Sequence, residues 1–164
     1  MKKLYIDFDG VIMNTIEVTY KELKELKIEN NPDKIKEYYI DVDWNDLINN
    51  RCSVINDGIE SIKRIIESKK FNVSILTHIF SLEEAVQKIN YIRKYFDDIT
   101  VIPVPKSLSK TKMVNTADSI LIDDFSGNLR EWEKENGIGV KFSSENDSEF
   151  PTISRLDSIL SLNF

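Results

Sequence analysis

Apolar runs that do not alternate place the strongest constraint on this chain. Lys3–Asp7, Asn72–Thr77, Ile99–Val104, Ser119–Asp123 and Ile138–Phe142 each read as a strand, and several are apolar at successive positions. A strand facing water on one side alternates; a run without alternation is covered on both faces. Helical patterns separate most of these runs. Ile59, Ile62, Ile65 and Ile66 follow Asp57 and Glu60, which stand at capping-box spacing. Leu82, Ala85, Val86, Ile89, Ile92 and Phe96 form a second helical stripe, opened by Ser81 and Glu84 at the same spacing. A short helix holds Leu129 and Trp132 and stops at Asn136-Gly137, a C-terminal cap. Ser154 to Leu162 reads as a closing helix with Leu156, Ile159 and Leu160 inward, and the polar stretch Ser143–Glu149 as a loop.

Strands alternating with helices predict an α/β fold, a Rossmann-like parallel sheet of about five strands flanked by helices and joined by right-handed crossovers. Between Gly10 and Asp57 no strand is apparent. Asn14 and Glu17 resemble a cap for a helix carrying Ile16, Tyr20, Leu23 and Leu26; Asn31-Pro32-Asp33 starts another, with proline first, and Asp43-Trp44 a third. The crossover from the first strand to the second is already supplied by residues 58–68, so 14–53 is surplus to the sheet. It reads as a small helical cap inserted into a core domain made of 1–13 and 54–164.

A length of 164 residues with 41% apolar side chains suits one folded domain. A formal net charge of −6 argues against duplex nucleic acid, which wants a basic face. The single cysteine, Cys52, forbids an internal disulfide, fits a reducing cytoplasm and reads as a small buried apolar residue. The N-terminus lacks the apolar core and cleavage site of a signal peptide, and no run approaches the ~20 apolar residues of a membrane span. The expected partner is a small molecule.

In an open parallel sheet, ligands bind outside the carboxyl ends of the strands. The first strand ends in Asp7, with Asp9 beyond it on the same face of an extended segment. The second ends in Thr77, followed by His78, and the third leads into Lys106, Lys110 and Lys112. The fourth ends in Asp123-Asp124. Carboxylates, a hydroxyl and an ammonium thus converge from distant parts of the chain. An EF-hand is excluded by the apolar strand before Asp7. A receiver domain would place its acceptor aspartate before the threonine, whereas Asp123-Asp124 come after Thr77 and the lysines.

This order resembles the haloacid dehalogenase (HAD) superfamily of phosphatases. The matching stretches are Asp7-Phe8-Asp9-Gly10-Val11, Ile75-Leu76-Thr77, a lysine, and Ile122-Asp123-Asp124, and an insertion after the first motif is where that superfamily often carries a helical cap. Leu121 to Trp132, with Asn128-Leu129 after the aspartates, and the return Gly137-Ile138-Gly139-Val140-Lys141-Phe142 look like the 5'(3')-deoxyribonucleotidase family. That likeness aligns Lys110 with the third motif.

The resemblance implies a chemistry. Asp7 is the expected nucleophile, and Asp9 the acid that protonates the leaving alkoxide and then the base that takes a proton from water. The presence of Asp9 argues for phosphoryl transfer over dehalogenation. Thr77 and Lys110 are expected to hold the phosphoryl group, with His78 a phosphate or substrate contact. A carboxylate approaching a phosphate dianion is repelled by on the order of 9 kcal/mol at an effective dielectric near 20. Mg²⁺ is the expected cofactor, because the available donors are hard oxygens; Asp7, Asp123 and the backbone carbonyl of Asp9 would ligate it, with Asp124 behind them holding a metal-bound water. Tyr20, Tyr38, Tyr39 and Trp44 include candidates for a base-stacking platform, and Trp132 reads as core. The expected substrate is a phosphate monoester, foremost a (deoxy)nucleoside monophosphate. The alternatives are a sugar phosphate or other phosphorylated metabolite, and a regulatory phosphate-binding domain without catalysis.

Overall fold

The computed structural model describes residues 1–164. Its sheet has six strands: β1 Lys2–Ile6, β2 Phe71–Ile79, β3 Thr100–Pro105, β4 Ile120–Asp123, β5 Ile138–Phe142 and β6 Thr152–Ile153. They lie in the order β3-β2-β1-β4-β5-β6, and every pairing is parallel. The chain runs outward from β1 through β2 to β3, then returns to β4 on the other side of β1. The order reverses at the centre, where the crevice at the carboxyl ends opens.

Both faces of the sheet are covered, which is why the strands lack alternation. Leu4, Ile6, Ile75, Ile120 and Ile122 face one side, with Ile59, Ile62 and Ile65 of α4 (Gly58–Glu67) and Ile92 of α5 (Leu82–Arg93). Tyr5, Leu76 and Leu121 point the other way, onto Leu129 and Trp132 of α6 (Ser126–Lys134). Trp132 is fully buried, as expected, and its ring meets that of Tyr5 edge-on. No helix is long and apolar enough to cross a membrane.

Residues 14–53 carry α1 (Thr15–Glu25), α2 (Pro32–Asp41), the single turn α3 (Trp44–Asp46) and a π-helical turn over Leu47–Arg51. Asn31 and Asp43 cap as their positions require, accepting from the backbone N–H groups of Lys34 and Asp46. Asn14 does not cap α1. Its Oδ1 accepts from Ser53 N at 2.7 Å, and its own N–H reaches Ser53 O, so the two ends of the segment are stitched together. Trp44, Leu47 and Ile48 share the large apolar core with the sheet.

Several local expectations are corrected. Asp57 adopts a left-handed backbone and makes no cap; its carboxylate accepts from Arg155 instead. The closing segment is a 3₁₀ helix over Leu156–Ser161, with Leu156 and Ile159 buried and Leu160 only partly so. The sheet gains β6, two residues long and preceded by Pro151, too short to leave a pattern. The largest correction is α5. Ser81 caps it, accepting from Glu84 N at 3.1 Å. The residues facing inward are Glu84, Ala85, Lys88, Tyr91 and Ile92, while Leu82 is 82% exposed and Val86 46%. Two charged residues sit where the apolar pattern places leucine and valine.

Candidate active site

Asp7 follows β1, held by its own N–H to Ile122 O at 3.0 Å, and Asp123 closes β4 next to it. Carboxylate oxygens of Asp7, Asp123 and Asp124 lie within 4.8 Å of one another. Gly10 stands at φ +74°, and a Cβ there would overlap the Asp124 carboxylate. The turn after Asp9 therefore needs glycine both for its backbone and for that close approach.

Of the lysines left open by the spacing, Lys110 reaches the cluster. Its Nζ lies 2.7 Å from Asp123 Oδ2 and 2.9 Å from Asp7 Oδ1. Lys112 pairs outward with Glu135, and Lys106 stands at the rim of the cleft. Asp123 is fully buried and tightly held: Oδ1 accepts from Phe125 N, and Oδ2 also accepts from Asn128 Nδ2, both at 2.9 Å. Asn128 is thus a site residue that sequence reasoning noted only as part of a likeness. Asp7 Oδ1 is buried and accepts no hydrogen bond of good direction, although the Lys110 ammonium is in ion-pair range.

Three carboxylates around one ammonium leave the cluster short of positive charge. Burial pushes the Asp7 carboxyl well above the usual range; Lys110 opposes this, and Asp123, Asp9 and Asp124 add to it. Asp124 is pushed up to about 7 by burial and then by Asp123 and Asp9. Burial works against the charge of Lys110, but Asp7 and Asp123 outweigh it and hold the ammonium charged. An acceptor without a hydrogen bond, among crowded hard oxygens, fits a divalent cation bound by Asp7, Asp123 and Asp124.

The carboxylate of Asp9 lies apart from this trio. Oδ1 accepts from Thr15 Oγ1 at 2.6 Å, and Oδ2 from Lys88 Nζ at 2.5 Å. Thr77 is fully buried, its hydroxyl accepting from Lys88 at 3.2 Å, and it does not line the cleft. His78 does. Its Nε2 is 2.8 Å from Leu108 O, so that nitrogen carries the proton and Nδ1 is left as an acceptor. Burial pulls the imidazole down to about 4; the Leu108 carbonyl opposes this, while Lys110 and Lys106 reinforce it. Cys52 is only partly buried, and burial pushes its thiol up to about 11.

Two hollows meet at Asp9. The first, about 220 Å³, is lined by Asp7, Asp9, His78, Asp123, Asp124 and Asn128, with Lys106, Ile16 and Phe125 at its edge. The second, about 210 Å³, lies between residues 14–53 and the sheet and is lined by Asp9, Ile16, Ile35, Tyr39, Trp44, Phe80 and their neighbours. The rings of Tyr39 and Phe80 stack there, 4.9 Å apart and 4° from parallel. Of the aromatics singled out from sequence, Tyr39 and Trp44 line this hollow; Tyr38 hydrogen-bonds Glu22, and Tyr20 is half exposed. A larger hollow of about 400 Å³ opens by Met1, Phe71 and Ile99, away from every one of these groups.

Solved structures of HAD-superfamily hydrolases share this parallel α/β fold and match the chain along nearly its whole length. A HAD phosphatase from Thermococcus onnurineus matches with a TM-score of 0.61 at 15% identity, over 98% of this chain and 97% of that one. A HAD-superfamily hydrolase of subfamily IA, variant 1, from Geobacter sulfurreducens gives 0.61 at 10% identity, covering 98% of each. One from Ehrlichia chaffeensis gives 0.58 at 13%, over 98% and 96%. At these identities the likeness is one of fold. No family model matches the chain, and no curated protein matches its sequence.

Proposed function

We propose that this protein is a Mg²⁺-dependent phosphomonoester hydrolase working through an aspartyl-phosphate. The observation that carries the reading is the meeting of Asp7, Asp123 and Asp124 in a cleft that Asp9 also lines, with the buried Lys110 ammonium paired to Asp7 and Asp123. Asp7, Asp123 and Asp124 would hold the ion, with the Asp9 backbone carbonyl that the family resemblance implies; when bound, it offsets the negative charge of nucleophile and phosphate.

The chain's own groups divide the work. An Asp7 oxygen bonds to phosphorus as the ester P–O bond breaks, and Asp9 delivers its proton to the departing oxygen. Water then attacks phosphorus and gives a proton to Asp9; the acyl phosphate P–O bond breaks, and Asp7 returns as a carboxylate beside free phosphate. Lys110 keeps a positive charge against the nucleophile throughout. Thr77 acts from within the Lys88 network, and neutral His78 offers Nδ1 to the substrate from the wall shared by both hollows.

The leaving group occupies the second hollow. Its aromatic lining, with Tyr39 and Phe80 stacked, favours a flat ring, and hence a (deoxy)nucleoside monophosphate of the kind that 5'(3')-deoxyribonucleotidases take. The test is phosphate release from deoxynucleoside 3'- and 5'-monophosphates, sugar phosphates and p-nitrophenyl phosphate, with Mg²⁺ and with chelator. The expected result is metal-dependent release favouring nucleotides. A clear preference for sugar phosphates would replace the substrate assignment, and no release from any ester would remove the enzymatic reading.

A further inference from the structure

The Lys88 side chain is fully buried and lines neither hollow, so it touches no substrate. Its ammonium lies within hydrogen-bond distance of Asp9 Oδ2 at 2.5 Å, Glu84 Oε1 at 2.6 Å, His78 O at 3.0 Å and Thr77 Oγ1 at 3.2 Å. The ring of Trp44, from the segment between β1 and α4, is 5.0 Å from it. Burying an ammonium is costly unless it is fully partnered, and a structural ion pair would be complete with Glu84 one helical turn away. Here the helix turns Leu82 outward and both charges inward, where the ammonium reaches a carboxylate at the junction of the two hollows.

We propose that Lys88 is a positioning residue for Asp9: with Thr15 on the other oxygen, it fixes the carboxylate between the phosphate site and the leaving-group hollow. Asp9 is thereby presented in one orientation to the oxygen that departs. Glu84, itself held by Phe80 N at 2.7 Å, anchors the ammonium from behind. The inference rests on the phosphomonoesterase reading, in which the Asp9 proton goes to the leaving oxygen.

That role makes a claim a structural one does not. Proton delivery matters for a poor leaving group such as an alkoxide and hardly at all for p-nitrophenolate. The experiment compares kcat and KM of the full chain, with Mg²⁺, on an alkyl or nucleoside phosphate and on p-nitrophenyl phosphate. Lys88→Met is expected to lower kcat on the alkyl ester by roughly 100-fold, as small misplacements of a reacting group do, and on the aryl ester by less than about 5-fold, with KM little moved. Equal losses on both esters would reduce Lys88 to a structural ion pair. Should Lys88→Met fail to fold, the pair Glu84→Gln/Lys88→Met removes the buried Glu84 charge that would otherwise lose its partner, and carries the same comparison. A wild-type chain that hydrolyses neither ester removes the enzymatic reading and this assignment with it; an active wild type with equal losses in the variant removes the assignment alone.

Discussion

Two buried ammonium groups organise this molecule, and their differences are instructive. Lys110 lies between Asp7 and Asp123, Lys88 between Asp9 and Glu84. Around Lys110 a third carboxylate, Asp124, crowds in, and a buried oxygen of Asp7 has no well-directed hydrogen bond. Around Lys88, both Asp9 oxygens and both Glu84 oxygens have donors, from Thr15, Lys88 and Phe80 N. The first cluster is left with negative charge to share with an ion; the second is closed on itself. On the proposed reading, the first cluster serves the nucleophile and the second holds the acid–base carboxylate of Asp9 still.

The comparison breaks first at Asp7, the proposed nucleophile. Asp7→Asn should reduce phosphate release by on the order of 10⁶-fold, the scale seen when a nucleophile is removed. Because Asp7 is a crowded, buried acid, the metal-free variant should melt no lower than wild type. Glu84→Gln, which weakens only the anchor of Lys88, should cost less than about 10-fold. Steady-state rates on one ester check both, and comparable losses would erase the division between the clusters.

Mg²⁺ sharpens it next. At about 100 times its dissociation constant, an ion that binds only the folded chain adds about 2.7 kcal/mol, which for a chain of this size raises the thermal midpoint by roughly 5–10 °C. Asp123→Asn should abolish the rise and Glu84→Gln should keep it, as read by thermal melts with Mg²⁺ and with chelator. Gly10→Ala should be felt at the same cluster. It forces a side chain onto a left-handed backbone and into Asp124, at an expected cost of about 1–3 kcal/mol in denaturant unfolding.

The two clusters were not equally legible. Asp7, Asp9 and Asp123 stand at or just beyond strand ends, and strands announce themselves through short apolar runs; Lys110 opens a 3₁₀ turn shortly after β3. Placing them required only a parallel sheet and the rule that its carboxyl edge binds ligands. Lys88 was hidden by its helix. Glu84 and Lys88 at i, i+4 look like a solvated ion pair, and Leu82 and Val86 look like an inward stripe. Contacts with Asp9, Thr77 and Trp44, all distant in sequence, decide which face turns in. For the same reason Asn14 and Asp57 read as caps but bond to Ser53 and Arg155, partners no local pattern reveals.

A pH-dependent effect lies between the clusters. The carbonyl of His78 accepts from Lys88, while its ring is half-buried near Lys110 and Lys106 and held down to about 4. In the unfolded chain the imidazole takes its proton near pH 6.5. Between about 6.5 and about 4 the unfolded state therefore binds a proton that the folded state refuses, so stability falls on acidification across that window and is unaffected by this group above it. His78→Asn should flatten the decline by at most about 1.4 kcal/mol per pH unit, measured as denaturant midpoints from pH 7 to pH 4.5. An unchanged slope would mean that His78 takes its proton normally in the folded chain, and that neither its burial nor the nearby Lys110 and Lys106 charges disfavour the imidazolium.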